Sequence, residues 1–127
     1  MMKEAILSKK FPKSDLPFSH GFKAGNFVFT SGQVGRNPET GELAEGIEEQ
    51  TKQTLKNIEI ILEEAGCSKS DIIKVTVFLP DIRDYNDMNK VYGNFFNKPH
   101  PARSCVEAKL ANQKYKVEIE AIAYKNS

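Results

Sequence analysis

Pro99-His100-Pro101-Ala102-Arg103-Ser104-Cys105-Val106-Glu107, followed after a polar stretch by Tyr115-Lys116-Val117-Glu118-Ile119-Glu120-Ala121-Ile122-Ala123-Tyr124, carries most of what this chain reveals about itself. Two prolines stiffen the entry. From Arg103 to Glu107 the pattern is extended, with Ser104 and Val106 facing one way and Arg103, Cys105 and Glu107 the other. In the second run Val117, Ile119, Ala121 and Ala123 share one face, while Lys116, Glu118, Glu120 and Ile122 share the opposite one. That period of two is the mark of a half-buried strand. Pairing of the two runs as a hairpin through Leu110 to Lys114 would bring Arg103 near Glu118 across the ladder. An arginine at the mouth of a strand offers a planar fork suited to a carboxylate or phosphate.

Working outward, Asp71 to Pro80 reads as the strongest strand, apolar at Ile73, Val75, Val77 and Leu79 with Lys74 and Thr76 opposite, and stopped by Pro80. From Ile47 the period becomes helical: Ile47, Thr51, Thr54, Leu55, Ile58, Ile61, Leu62 and Ala65 form a stripe, and Gly66 closes it. Asp81 to Asp84 supplies turn and cap residues for a second helical stripe of Tyr85, Met88, Tyr92, Phe95 and Phe96, running up to Asn97. Nearer the start, Gly25-Asn26 joins Gly21 to Ala24 and Phe27 to Ser31 as a hairpin, after a short edge strand over Met2 to Leu7 and a loop over Ser8 to Ser19. Asn37-Pro38-Glu39-Thr40-Gly41 is turn chemistry. Strands plus two amphipathic helices in need of cover predict a two-layer α+β fold, a mixed β-sheet packed on two helices.

The 127 residues are expected to form one domain over 1–127. Lys and Arg number 18 against 17 Asp and Glu, and the basic residues are scattered, so nucleic acid is not an expected partner. Met1 to Phe11 lacks the apolar centre of a secretory signal, and the longest hydrophobic run, Val75 to Leu79, is far below a membrane span. A soluble, cytoplasmic protein is expected. Cys67 and Cys105 have no neighbours at metal-ligand spacing and read as reduced thiols; His20 and His100 likewise lack ligand partners, so no metal site is expected. With no histidine at a suggestive distance, Cys105 reads as a small buried hydrophobe rather than a nucleophile.

Pro101-Ala102-Arg103-Ser104-Cys105-Val106-Glu107 followed by Val117-Glu118-Ile119-Glu120-Ala121 resembles the signature of the Rid family, the reactive intermediate deaminases also called YjgF-like proteins. The likeness runs in order through nearly the whole chain: Phe29-Thr30-Ser31-Gly32-Gln33, Asn37-Pro38-x-Thr40-Gly41, Gln50-Thr51, Asn57, Glu64-Ala65-Gly66, Lys74 to Leu79, Asn89-x-x-Tyr92 and Phe95-Phe96. It implies a chorismate mutase-like homotrimer with central sheets, outer helices and three ligand clefts between subunits. It implies, too, a cofactor-independent hydrolysis of small 2-imino acids or their enamines to 2-oxo acids and ammonia.

Residue by residue, the resemblance makes Arg103 the clamp for the substrate carboxylate and Glu118 the group that holds the attacking water. Ser31 and Gly32 match positions where hydroxyl and backbone groups face the ligand, Cys105 lines the site, and Asn89, polar on the stripe of the second helix, lies near it. Glu120 is scaffold by the same reasoning. One departure stands out: the family's loop tyrosine is Phe18 here, in Leu16-Pro17-Phe18-Ser19-His20, which keeps an apolar wall and loses one hydrogen bond, about 1 kcal/mol. A competing expectation is a non-catalytic trimer that binds small carboxylates as a sensor or protein-stabilising partner. Arg103 would serve that role equally, and only Glu118 separates the two. A third, ribonuclease action or translation inhibition, gains nothing from the charge pattern.

Overall fold

The computed structural model describes residues 2–126; Met1 and Ser127, the ends of the expected domain span, lie outside the described residues. Lys3–Ile6 (β1), Gly21–Ala24 (β2) and Phe27–Thr30 (β3) form an antiparallel meander, with Gly25 taking the positive φ of 59° that its tight turn requires. Helix α1 covers Gly46–Glu64 and ends as its sequence predicts: Gly66 has φ 81°, its N–H donates to Glu63 O at 3.0 Å, and Cys67 N–H donates to Leu62 O at 2.8 Å. Those paired bonds satisfy carbonyls that the last turn would otherwise leave bare.

Ile72–Leu79 (β4), helix α2 (Tyr85–Phe95), Ala102–Glu107 (β5) and Glu118–Tyr124 (β6) follow, and the six strands of the described residues lie side by side in the order β1-β2-β3-β6-β4-β5. Only β4 and β5 run parallel, because α2 carries the chain back over the sheet between them. The sheet is thus mixed and the two helices pack on it, an α+β architecture.

The expected hairpin of the last two strands does not form. Strand β4, buried at Val75, Val77 and Leu79, takes the place between them, with β5 parallel on one side and β6 antiparallel on the other. The 108–117 segment crosses from one side of β4 to the other instead of turning tightly. It is tied to α1 by Gln50, whose Nε2 donates to Lys114 O at 3.1 Å and whose Oε1 accepts from Lys116 N–H at 2.8 Å.

Ile73 also departs from the expected stripe. The register passes from Ile72↔Ala123 to Lys74↔Ile122, so Ile73 is the extra residue of a bulge; it is exposed, and Ile72 is buried in its stead. The core lies between the sheet and the helices. Leu55, Ile58, Ile61 and Leu62 of α1 and Met88 of α2 meet Val28, Val75, Val77, Leu79 and Ile119 from the strands. Each buried aliphatic side chain of this kind contributes roughly 1.5–3 kcal/mol.

Among the described residues no helix covers the other face of the sheet. Phe22, Phe27, Phe29, Val106 and Tyr124 project there, between 37% and 43% exposed, around the more polar Glu118, Glu120, Thr76 and Lys74. No helix among the described residues is long and apolar enough to cross a membrane.

Candidate functional site

Arg103 lines up with Val75 on β4 and shares its helix-facing side, so its side chain meets α2. Its Nη1 donates to Asn89 Oδ1 at 2.7 Å and its Nη2 donates to Tyr85 Oη at 3.0 Å. The guanidinium carbon lies 4.7 Å from the Tyr92 ring centroid and 5.5 Å from that of Tyr85. Tyr85, Asn89 and Tyr92 fall at helical spacings of four and three, hence on one face of α2. Among the described residues no carboxylate forms an ion pair with Arg103. The cation is therefore held by two neutral acceptors and two π-faces, with N–H groups left over for an anion.

Two neighbours feel this environment. Burial pushes the Tyr92 hydroxyl up to about 12, against a smaller opposing pull from Arg103, and that buried hydroxyl has no hydrogen-bond partner among the described residues. Burial also raises the Cys105 thiol, with Arg103 opposing, so the sulfur stays protonated at neutral pH.

Glu118 lines up with Phe78 and projects from the uncovered face. Burial holds its carboxyl above the usual range, and the like charge of Glu120 pushes the same way. Gly32 lies directly against it: a Cβ at that position would collide with the Glu118 carboxylate and come within 2.8 Å of its Cδ. Ser31, next in line, donates its hydroxyl to Ser19 O at 2.5 Å and its N–H to His20 O at 2.9 Å, tying the loop that carries Phe18 to the end of β3. The same loop is fastened at its start, where Ser8 N–H donates to His20 Nδ1 at 3.0 Å and Phe11 packs on the imidazole with centroids 4.8 Å apart. Burial lowers the His20 pKa, in keeping with a neutral acceptor nitrogen. Phe18 itself is 58% exposed, and a surface pocket of about 250 Å³ lined by Ser19, Phe22, Phe29 and Ser31 opens beside it.

The seven residues singled out in the sequence thus fall into two groups. Arg103, Asn89 and Cys105 gather on the helix side of the β5 edge; Glu118, Gly32, Ser31 and the Phe18 loop gather around the uncovered face. Arg103 and Glu118 do not meet across a ladder, since β4 separates their strands by roughly 10 Å and they point to opposite sides. Among the described residues no group of three or more His, Cys, Asp or Glu is placed to hold a metal ion.

Residues 8–125 match the family described as Endoribonuclease L-PSP. The chain belongs to this family, also known as the Rid or YjgF-like proteins. A RutC family protein of Pyrococcus abyssi is 48% identical over 126 residues, covering 98% of this chain and 99% of that one. The 2-iminobutanoate/2-iminopropanoate deaminase of Escherichia coli is 41% identical over 125 residues, covering 96% and 98%. Among solved structures, the YjgF gene product of E. coli superposes with a TM-score of 0.91 at 39% identity, over 97% of this chain and 99% of that one. E. coli TdcF with bound serine gives 0.90 at 38% identity over the same shares.

Within this Rid-family fold, two residues at Arg103 escaped the sequence reading. The sequence places Tyr85 on the apolar stripe of the second helix, and Tyr92 on that stripe and in the Asn89-x-x-Tyr92 motif, with no role at the arginine for either. Their place beside Asn89 was the available signal, because a polar residue on an apolar stripe marks where that stripe meets something charged or wet.

Proposed function

We propose that this Rid-family chain is a hydrolase of the 2-iminobutanoate/2-iminopropanoate deaminase type, acting on small 2-imino acids and their enamine tautomers. The observation that carries the reading is Arg103. An arginine half-buried against Tyr92, oriented by Asn89 and Tyr85 and lacking a carboxylate of its own, is preorganised for an anionic ligand. The carboxylate of an imino acid fits that fork in two parallel hydrogen bonds. The deaminase name carried by a 41%-identical relative supports the same reading.

The reaction balances with water alone. Water held by Glu118 adds its oxygen to C2 of the imine and passes a proton to the carboxylate. That proton goes to nitrogen, giving the carbinolamine; its hydroxyl proton then passes through the same carboxylate to nitrogen as the C=O bond forms, the C–N bond breaks and ammonia leaves, so that R–C(=NH)–COO⁻ and H₂O give R–CO–COO⁻ and NH₃. A carboxyl whose pKa is raised by burial and by Glu120 both takes and returns a proton more readily near neutral pH than an ordinary one. Positioning supplies the rest of the effect, because imines hydrolyse readily once water is aligned. The Cys105 thiol lines the site without forming a covalent intermediate, and the chemistry calls for no metal or organic cofactor.

One chain does not turn Arg103 and Glu118 toward one ligand. A second copy seated on the uncovered, phenylalanine-rich face would complete the set, which supports clefts between the subunits of a homotrimer. The test is 2-oxo acid formation from imino acids generated in situ by an amino-acid oxidase. Wild type accelerates hydrolysis, and Arg103→Ala and Glu118→Gln both fall to the uncatalysed rate. Retention of wild-type rate by Glu118→Gln would instead make the chain a carboxylate-binding module.

A further inference from the structure

Arg103 is held by two acceptors that differ in what they have left to give. Asn89 Oδ1 accepts from Nη1 at 2.7 Å and has no proton to offer. Tyr85 Oη accepts from Nη2 at 3.0 Å through a lone pair, so its own O–H remains to be donated. No acceptor within the described residues takes that proton, and the ring is 38% exposed, unlike the fully enclosed Tyr92. Accepting a hydrogen bond from a cation also polarises the phenol and makes it the stronger donor. An anion that occupies the second N–H of Nη2 lies beside the same nitrogen that Tyr85 touches. Guanidinium and phenol then converge on one oxygen.

We propose that Tyr85 is a ligand-binding residue, donating its hydroxyl to the carboxylate clamped by Arg103. The inference rests on Arg103 being a carboxylate clamp. It adds a third donor to the fork and makes recognition more selective for a full anion: a carboxylate accepts from all three donors, whereas an ester or amide offers a weaker acceptor oxygen in the same place. Phe18, 58% exposed, is left as an apolar wall.

Titration calorimetry with 2-oxobutanoate as the probe tests this. Tyr85→Phe should weaken binding about tenfold or more, the loss of one hydrogen bond to a charged group. The same substitution also removes an acceptor that orients Arg103, so a second variant separates donation from positioning. Fluorination ortho to the hydroxyl, by site-specific 3-fluorotyrosine at position 85, makes the phenol a better donor and a poorer acceptor. At a pH where it stays protonated, tighter 2-oxobutanoate binding supports donation to the ligand. Weaker or unchanged binding by the fluorinated protein, or wild-type affinity in Tyr85→Phe, overturns the proposal and leaves Tyr85 a positioning residue or a bystander. Arg103→Ala is measured alongside: if it too binds as tightly as wild type, the carboxylate clamp itself has failed, an outcome distinct from failure of Tyr85 alone.

Discussion

The carboxylate of Glu118 occupies the space into which any side chain on Gly32 would project. Gly32→Ala therefore displaces the Glu118 carboxylate by direct contact. The far end of a glutamate yields by rotation, so the fold should lose only about 1 kcal/mol, while activity drops by about a hundredfold, the scale of a misplaced acid–base group. Urea unfolding beside the imino-acid assay reads both quantities. Wild-type turnover in Gly32→Ala would detach Glu118 from the chemistry.

If each cleft takes Arg103 from one subunit and Glu118 from its neighbour, two inactive variants should complement. Refolding Arg103→Ala and Glu118→Gln together in equal amounts yields about a quarter of the clefts with both residues intact, by random assortment around a cyclic assembly. The recovered rate should be near that fraction of wild type. Rates that stay at background in verified mixed oligomers would put both residues in the same subunit's cleft.

Glu118 also sets a pH signature of stability. Its folded pKa lies above the ordinary 4.5, so between the two values the native state binds more protons than the unfolded chain. The stability contributed by the protonated form is fully present below the unfolded pKa and is lost as pH rises through the folded one. Glu118→Gln has no such loss. Its stability relative to wild type should increase from pH 4 to pH 7, measured as the difference in urea midpoint, and a pH-independent difference would contradict the raised pKa.

Gly35 meets a less forgiving neighbour. A Cβ there would approach Gln50 Cα to 2.7 Å and Gln50 O to 2.9 Å, atoms of the α1 backbone that cannot rotate away. Gly35→Ala should cost about 3 kcal/mol. Because Gln50 also holds Lys114 and Lys116, the approach to β6 should loosen with it, seen as faster amide exchange over 114–119. Exchange unchanged there would separate the helix from the crossing segment.

Much of this was legible from residue order because the signals are local. The α1 stripe ended at Gly66 as expected, and the alternation of Val117 to Ala123 placed Val117, Ile119, Ala121 and Ala123 on the buried side. Which strand lies beside which is a non-local matter. Arg103 and Glu118 both read correctly as strand residues, yet nothing in either run encodes that β4 comes between them, and the error in pairing became an error about the site. Ile73 failed for a related reason, since a bulge is a property of two strands and not of one. Around Arg103 the reading found Asn89 through the family resemblance and passed over Tyr85, whose hydroxyl is polar while its ring fits an apolar stripe.

The strand order has a bearing on how the chain acquires its shape. Among the described strands β6 comes last in the chain, and it alone is hydrogen-bonded both to the β1-β2-β3 meander and to the β4-β5 pair. As the protein is made, those two portions have no shared ladder, and the backbone edges of β3 and β4 stay open until β6 emerges. Closure of the sheet thereby waits until β6 has been made. Glu118, the first residue of that strand, is put in place by the same late event that seals the core.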